Sequence, residues 1–305
     1  MTTGDVITVE RLSKQYRGVR AVDDLSFQVQ PGRVTGFLGP NGAGKTTTLR
    51  MLLDLVRPTS GTALIGGQPY SSLADPVRAV GAVLEASSAH PGRTGRNHLV
   101  GACIASSLPR SRAEEVLEIV GLTPAADRKF KGYSLGMRQR LGIATAMLGD
   151  PGILVLDEPA NGLDPEGIRW MRDLLRRLAQ EGRTVLISSH LLLEMQALAD
   201  DVVIVALGRL VAQGAVTDIV TSMSHGARVE ATTPSPEELT WALERAGGRV
   251  TSGPSVGALL IDGLSAAEVG DIALAAGTPV HRLQTEQADL EEVFLELTSG
   301  KATLR

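Results

Sequence analysis

Apolar and polar positions follow two different rhythms along this chain, and each rhythm predicts its own kind of element. Val6-Ile7-Thr8-Val9 and Leu25-Ser26-Phe27-Gln28-Val29 alternate with period two, which predicts half-buried strands, the second closed by the turn Pro31-Gly32. Val34–Leu38, Val80–Leu84, Gly152–Leu156 and Thr184–Ser188 are short apolar runs without alternation. Runs of that kind suit strands buried on both faces. Helical segments separate them, the first predicted over Thr46–Leu55. Short apolar strands alternating with helices imply an α/β fold with a mainly parallel sheet covered on both faces. Ligands of such sheets bind at the carboxyl ends of the strands.

The tail has another order. Arg228–Thr233 alternates as a strand, and Ser235–Ala246 reads as a helix with Ser235 as N-cap and Gly247-Gly248 as its stop. Strands are predicted at Arg249–Ser252 and Ala258–Asp262, a capped helix at Ser265–Ala276, and a fourth strand at Pro279–Gln284. The order β-α-β-β-α-β is that of a small α+β unit of ferredoxin-like type. A last helix, Asp289–Thr298, carries Leu290, Val293, Phe294 and Leu297 at helical spacing, a stripe suited to internal packing. The polar stretch Ser222–Gly226 lacks apolar periodicity, so two domains are expected, 1–220 and 221–305. Charge divides at the same place: 24 basic and 22 acidic residues precede it, 6 and 12 follow.

Composition narrows the function. With 305 residues, 43% of them hydrophobic, the chain can bury a full core and a second small one. A net charge of -4 lacks the basic excess of a sequence-independent nucleic-acid binder, so no nucleic-acid partner is expected. The single cysteine, Cys103, excludes an intrachain disulfide framework and a cysteine-based zinc site, and suits a reducing cytosol. No apolar run approaches the ~18 residues of a membrane span, and Met1–Glu10 lacks a signal-peptide plan. A soluble, cytosolic protein is expected.

The candidate chemistry begins at Gly39-Pro40-Asn41-Gly42-Ala43-Gly44-Lys45-Thr46, which matches G-x-x-x-x-G-K-[ST] between a predicted strand and a predicted helix. Glycines let successive backbone N–H groups converge on phosphate oxygens, and the helix N-terminus adds its dipole. Lys45 is expected to reach the β- and γ-phosphates, and the Thr46 hydroxyl to ligate Mg²⁺. A second apolar run ends in Asp157-Glu158. There Asp157 is expected to hold the Mg²⁺ hydration shell, and Glu158 to polarise the attacking water. A guanine-specific N-K-x-D motif is missing, which argues against a GTPase.

These residues resemble the ATP-binding-cassette (ABC) ATPases over roughly residues 5–215. Tyr16 stands where that family stacks an aromatic ring on adenine. Asn41, Ala43 and Thr47 complete the loop around Gly39, Gly42, Gly44, Lys45 and Thr46. Tyr133-Ser134-Leu135-Gly136-Met137 resembles the family's LSGGQ signature, with Ser134 and Gly136 matching and Leu135 and Met137 departing. The resemblance implies that Ser134, Gly136 and Met137 face ATP held by a second cassette. It also implies a D-loop at Ala160–Asp164 and a switch histidine at His190, acting beside the catalytic Glu158. After Val80–Leu84 the family usually has glutamine on the Mg²⁺ side, whereas this chain has Glu85. The block Ala86–Gly149 would be the helical subdomain that touches the transport partner.

Glu85 and the signature variant resemble the bacitracin- and daunorubicin-resistance type of exporter ATPase, whose membrane subunits are separate chains. The tail's Leu290-Glu291-Glu292-Val293-Phe294 fits that type. What the resemblance implies is an ATPase subunit that uses ATP and Mg²⁺ and pairs with a second cassette, as a homodimer or heterodimer. It would energise a separate polytopic permease from the cytoplasmic face of the membrane. Two rivals are weighed against it. Translation-type relatives carry two cassettes in one chain, and repair-type relatives insert long coiled coils between the nucleotide motifs; neither feature is present. A non-hydrolysing regulatory binder would lack the catalytic positions, yet Glu158 and His190 are in place.

Overall fold

Strands that are apolar on both faces must lie between layers, and the structure puts them there. The computed structural model describes residues 4–84, 89–223 and 228–286. Its first compact unit ends at Ala215 and the second starts at Val216, a little before the expected boundary. The first unit opens with β1 (Ile7–Tyr16), β2 (Val19–Val29), β3 (Val34–Leu38), α1 (Lys45–Leu52), β4 (Ser60–Ile65), α2 (Pro76–Ala79) and β5 (Val80–Val83). Three helices follow, α3 (Gly95–Ala105), α4 (Ser111–Ile119) and α5 (Leu135–Ala146). The unit closes with β6 (Ile153–Asp157), α6 (Pro165–Gln180), β7 (Thr184–Ser189), α7 (Leu192–Leu198), β8 (Asp201–Ala206) and β9 (Arg209–Ala215).

Six strands form the main sheet in the order β5-β6-β7-β3-β8-β9, parallel from β5 to β8, with β9 antiparallel at the edge. Every residue of β3, β6 and β7 is buried. Each Val, Ile or Leu removed from water there contributes about 1.5–3 kcal/mol before entropy is counted. Helix α6 shows how the sequence sets a boundary. Asp164 caps it by accepting a 2.7 Å hydrogen bond from Gly167 N, Pro165 occupies its first position, and Met171, Leu174, Leu175 and Leu178 bury one face.

The two alternating segments near the N-terminus do not join the parallel sheet. They are parts of the longer strands β1 and β2, which with β4 make a separate antiparallel sheet in the order β2-β1-β4. Its apolar face packs on the main sheet's core, Phe27 meeting Phe37 at 5.2 Å between ring centroids. Arg11 and Asp24 take positive φ, and the register shifts between Val9 and Leu12. Such a bulge breaks the period-two pattern, which is why alternation marks only the regular half of each strand.

The second unit runs α8 (Val216–Met223), β10 (Arg228–Thr232), α9 (Pro236–Arg245), β11 (Arg249–Ser252), β12 (Ala258–Asp262), α10 (Ala266–Ala275) and β13 (Arg282–Glu286). The sheet order is β11-β12-β10-β13, antiparallel throughout, the arrangement of two split β-α-β units. Val229, Leu239, Leu243, Ile261 and Val269 form its core. Ser265 and Glu268 make a reciprocal capping box on α10, whereas Ser235 starts α9 without a side-chain cap bond. The fourth strand begins at Arg282 rather than at Pro279, whose missing N–H cannot enter a ladder. The expected helix Asp289–Thr298 lies outside the described residues.

Candidate active site

Three neighbouring strands bring their carboxyl ends to one place. In the parallel register Leu38 of β3 lies opposite Ser189 of β7, and Asp157 of β6 opposite Ser188. The Gly-rich loop therefore leaves β3 beside the two acids. Glycine is required at two of its positions. A methyl at Gly39 would lie 2.4 Å from the Val205 carbonyl oxygen. At Gly44, which caps α1 with φ +97°, it would lie 2.4 Å from that of Ala21.

Lys45 is only 6% exposed, and its Nζ donates to the Gly39 carbonyl at 2.6 Å and the Pro40 carbonyl at 3.4 Å. The same ammonium lies 3.5 Å from Glu158 Oε1. Thr46 Oγ1 donates to Asp157 Oδ2 at 2.6 Å, and the buried Ser188 hydroxyl donates to Asp157 Oδ1. Glu158 follows with φ +49°, a left-handed conformation that costs a non-glycine residue about 1 kcal/mol or more. It is held there by its N–H, which donates to Ser188 Oγ at 3.0 Å. His190 Nδ1 lies 2.7 Å from Glu158 Oε2. A carboxylate only accepts, so the proton of that bond belongs on Nδ1. Glu194 is close enough to both groups to feel their charges. Burial, chiefly, raises its carboxyl above the usual carboxylate range; His190 opposes the rise and Glu158 adds to it.

A cleft of about 470 Å³ is lined by Tyr16, the loop Asn41–Thr47, Glu158, Asn161 and His190. Tyr16 sits at its mouth, 44% exposed, with Lys14 Nζ 4.9 Å from the ring centroid. Gly39 is not part of that lining; its carbonyl accepts from Lys45. Ser134, Gly136 and Met137 are elsewhere. Ser134 caps α5, its hydroxyl accepting from Met137 N at 3.2 Å. With Gly162, Leu163 and Asp164 these residues line a separate cleft of about 410 Å³ that shares no residue with the first. Thr46 and Asp157, the expected metal ligands, lie within hydrogen-bond distance of each other. Glu85 lies outside the described residues.

Two participants were not singled out from the sequence. Ser188 binds both acids, and the buried Gln139 places Nε2 3.4 Å from the Glu158 carbonyl. A serine at a strand end carries no signal until register sets it opposite Asp157. Gln139 follows the signature segment, and nothing in its spacing points at Glu158.

Comparison with known proteins places the chain in a family. The family model described as ABC transporter matches residues 22–161, and a domain of unknown function matches residues 227–291. The daunorubicin/doxorubicin resistance ATP-binding protein DrrA of Streptomyces peucetius is 38% identical, over 97% of this chain and 93% of that one. The bacitracin transport ATP-binding protein BcrA of Bacillus licheniformis is 45% identical, over 67% of this chain and 68% of its own. A solved structure of the ATP-binding subunit of an ABC transporter superposes with a TM-score of 0.64 at 27% identity, covering 71% of this chain and 92% of that one. The chain therefore belongs to the ABC transporter family as an ATP-binding and ATP-hydrolysing subunit.

Proposed function

We propose that this subunit drives export through a separate membrane permease, as one of two cassettes that complete each other's ATP sites. The observation that carries the pairing is the separation of the two clefts. Ser134–Met137 present the N-terminus of α5 at the surface, yet share no wall with the loop that would hold phosphate. A helix N-terminus that opens to the surface away from its own phosphate loop is suited to an anion held by another copy.

Within one half-site the chain's own groups divide the work. Lys45, buried but bonded only to loop carbonyls and near Glu158, is placed to take β/γ-phosphate oxygens. The oxygens of Thr46 and Asp157 fit a hard cation, and they would hold Mg²⁺, which neutralises triphosphate charge when bound. Among the described residues no cluster of three His, Cys, Asp or Glu side chains could hold a metal alone, so phosphate and water would complete the shell. Glu158 remains 21% exposed and can accept a proton from water, while His190 fixes the carboxylate's orientation through Nδ1.

Export is supported by what the relatives' names say of them: bacitracin transport, daunorubicin resistance and Nod factor export. No helix among the described residues is long and apolar enough to cross a membrane, and the permease would be a separate chain. A groove of about 450 Å³ bounded by Leu55, Tyr70, Leu84, Phe130 and Leu141 offers that partner a seat on the cytoplasmic face. Two buried nitrogens of its lining, His98 Nδ1 and Arg138 Nε, lack hydrogen-bond partners.

Complementation tests the shared site. Lys45→Ala and Ser134→Arg should each abolish turnover alone. A mixture of the two should regain activity, because one site of each mixed dimer has both halves intact. A mixture as inactive as its components contradicts the pairing.

A further inference from the structure

We propose that the second unit carries a binding site for a small organic cation, between α9 and the turn after α10. This inference is independent of the ATPase reading. The groove, about 450 Å³, is lined by Glu237, Glu238, Trp241, Ala242, Ala276 and Thr278, within the range of small-molecule sites. Trp241 leaves 62% of its surface exposed on an otherwise ordinary helix. It stands one helical turn beyond both Glu237 and Glu238, so the two carboxylates and the indole share one face of α9. Small residues, Ala242 and Ala276, form the walls and leave room beside the ring.

The charges in the groove are uncommitted. Neither Glu237 nor Glu238 has an ion-pair partner among the described residues. Their place in the first turn of α9 suits the helix dipole, which accounts for acids at that end. It does not account for an exposed indole at helical spacing from both. The ring already receives a cation of this chain: the Arg245 guanidinium lies 4.6 Å from its centroid. Arg245 is not part of the groove's lining, and the ring stays largely exposed with it in place. Thr278, also in the lining, is 5% exposed and its hydroxyl has no hydrogen-bond partner, a buried polar group at the groove that this unit's own packing leaves unsatisfied. The surrounding segment adds to the attraction, since residues 221–305 hold 12 acidic against 6 basic side chains. An apolar body against the indole and an ammonium between the carboxylates is the occupant this chemistry selects.

The test is calorimetric titration of the full chain with benzyltrimethylammonium, with benzyl alcohol as the neutral counterpart. A parallel titration follows Trp241 fluorescence in a Trp170→Phe background, which removes the other of the chain's two tryptophans. Saturable binding is expected, with a change in Trp241 emission and weaker binding at high salt. Glu237→Gln/Glu238→Gln should weaken it about tenfold, as the loss of two surface charge contacts implies, and Trp241→Leu by a similar factor. The glutamine pair is exposed and isosteric, so it remains decisive if Trp241→Leu fails to fold. Equal binding of benzyl alcohol, unchanged affinity in the glutamine pair, heat without a Trp241 response, or no saturation would each overturn the proposal.

Discussion

Replacing Ser188 by alanine removes a single hydroxyl, yet that hydroxyl holds both acids of the candidate site. It donates to Asp157 Oδ1 and accepts the Glu158 N–H at 3.0 Å, in a residue with no exposed surface. The bond to the carboxylate is charge-assisted and carries about 1.5–3 kcal/mol. The second loss is smaller, because Glu158 N also reaches the Ser188 carbonyl at 3.2 Å. Water cannot easily replace the donor in a fully buried strand, so the net cost is about 2–3 kcal/mol. Among the described residues Asp157 keeps Thr46 as its one side-chain partner, and Glu158 loses part of what holds its left-handed backbone. Both acids therefore lose orientation together. Urea denaturation should show a lower midpoint at unchanged slope, and ATP turnover should need more Mg²⁺ to saturate at a reduced maximal rate. A stability change under about 0.5 kcal/mol, the range of an inert surface substitution, with an unchanged Mg²⁺ profile would refute the assignment.

Lys45→Ala should abolish ATP binding while the fold is kept, read by nucleotide titration; wild-type affinity would remove Lys45 from the phosphate site. Burial, with the Arg93 charge adding to it, holds His98 below its ordinary 6.5. The folded protein thus resists protonation there, so this contribution is complete above pH 6.5 and is lost as pH falls below it. His98→Gln should flatten that acid-side loss, measured as unfolding midpoints across the pH range. Ser265→Ala removes the capping box of α10 and should destabilise the second unit by about 1 kcal/mol. ATP turnover by that variant should match wild type, and a parallel loss would show that the second unit supports the ATP site.

Much of this architecture is legible because local chemistry dictates it. Gly39 and Gly44 face carbonyl oxygens at 2.4 Å from where a side chain would start, so the loop's spacing reports its shape directly. The buried strands β3, β6 and β7 announce themselves as apolar runs for the same reason. What stays hidden depends on register and on tertiary override of local pattern. Ser188 acquires its role only when β7 is laid beside β6. The positive φ of Glu158 runs against its residue type and is imposed by the Ser188 contact. The bulge at Arg11 conceals half of β1, and Pro279 looked like a strand start although its ring removes the donor a ladder needs.

The central claim is that Glu158 is the proton acceptor at an ATP site built by Lys45, Thr46 and Asp157. It is tested most directly by measuring ATP affinity and turnover together in Glu158→Gln. The amide keeps the shape of the side chain but cannot take the proton from water. Affinity should remain close to wild type, while turnover falls at least about 100-fold, the contribution typical of a positioned general base. Turnover at the wild-type rate, with ATP bound as tightly, would contradict it.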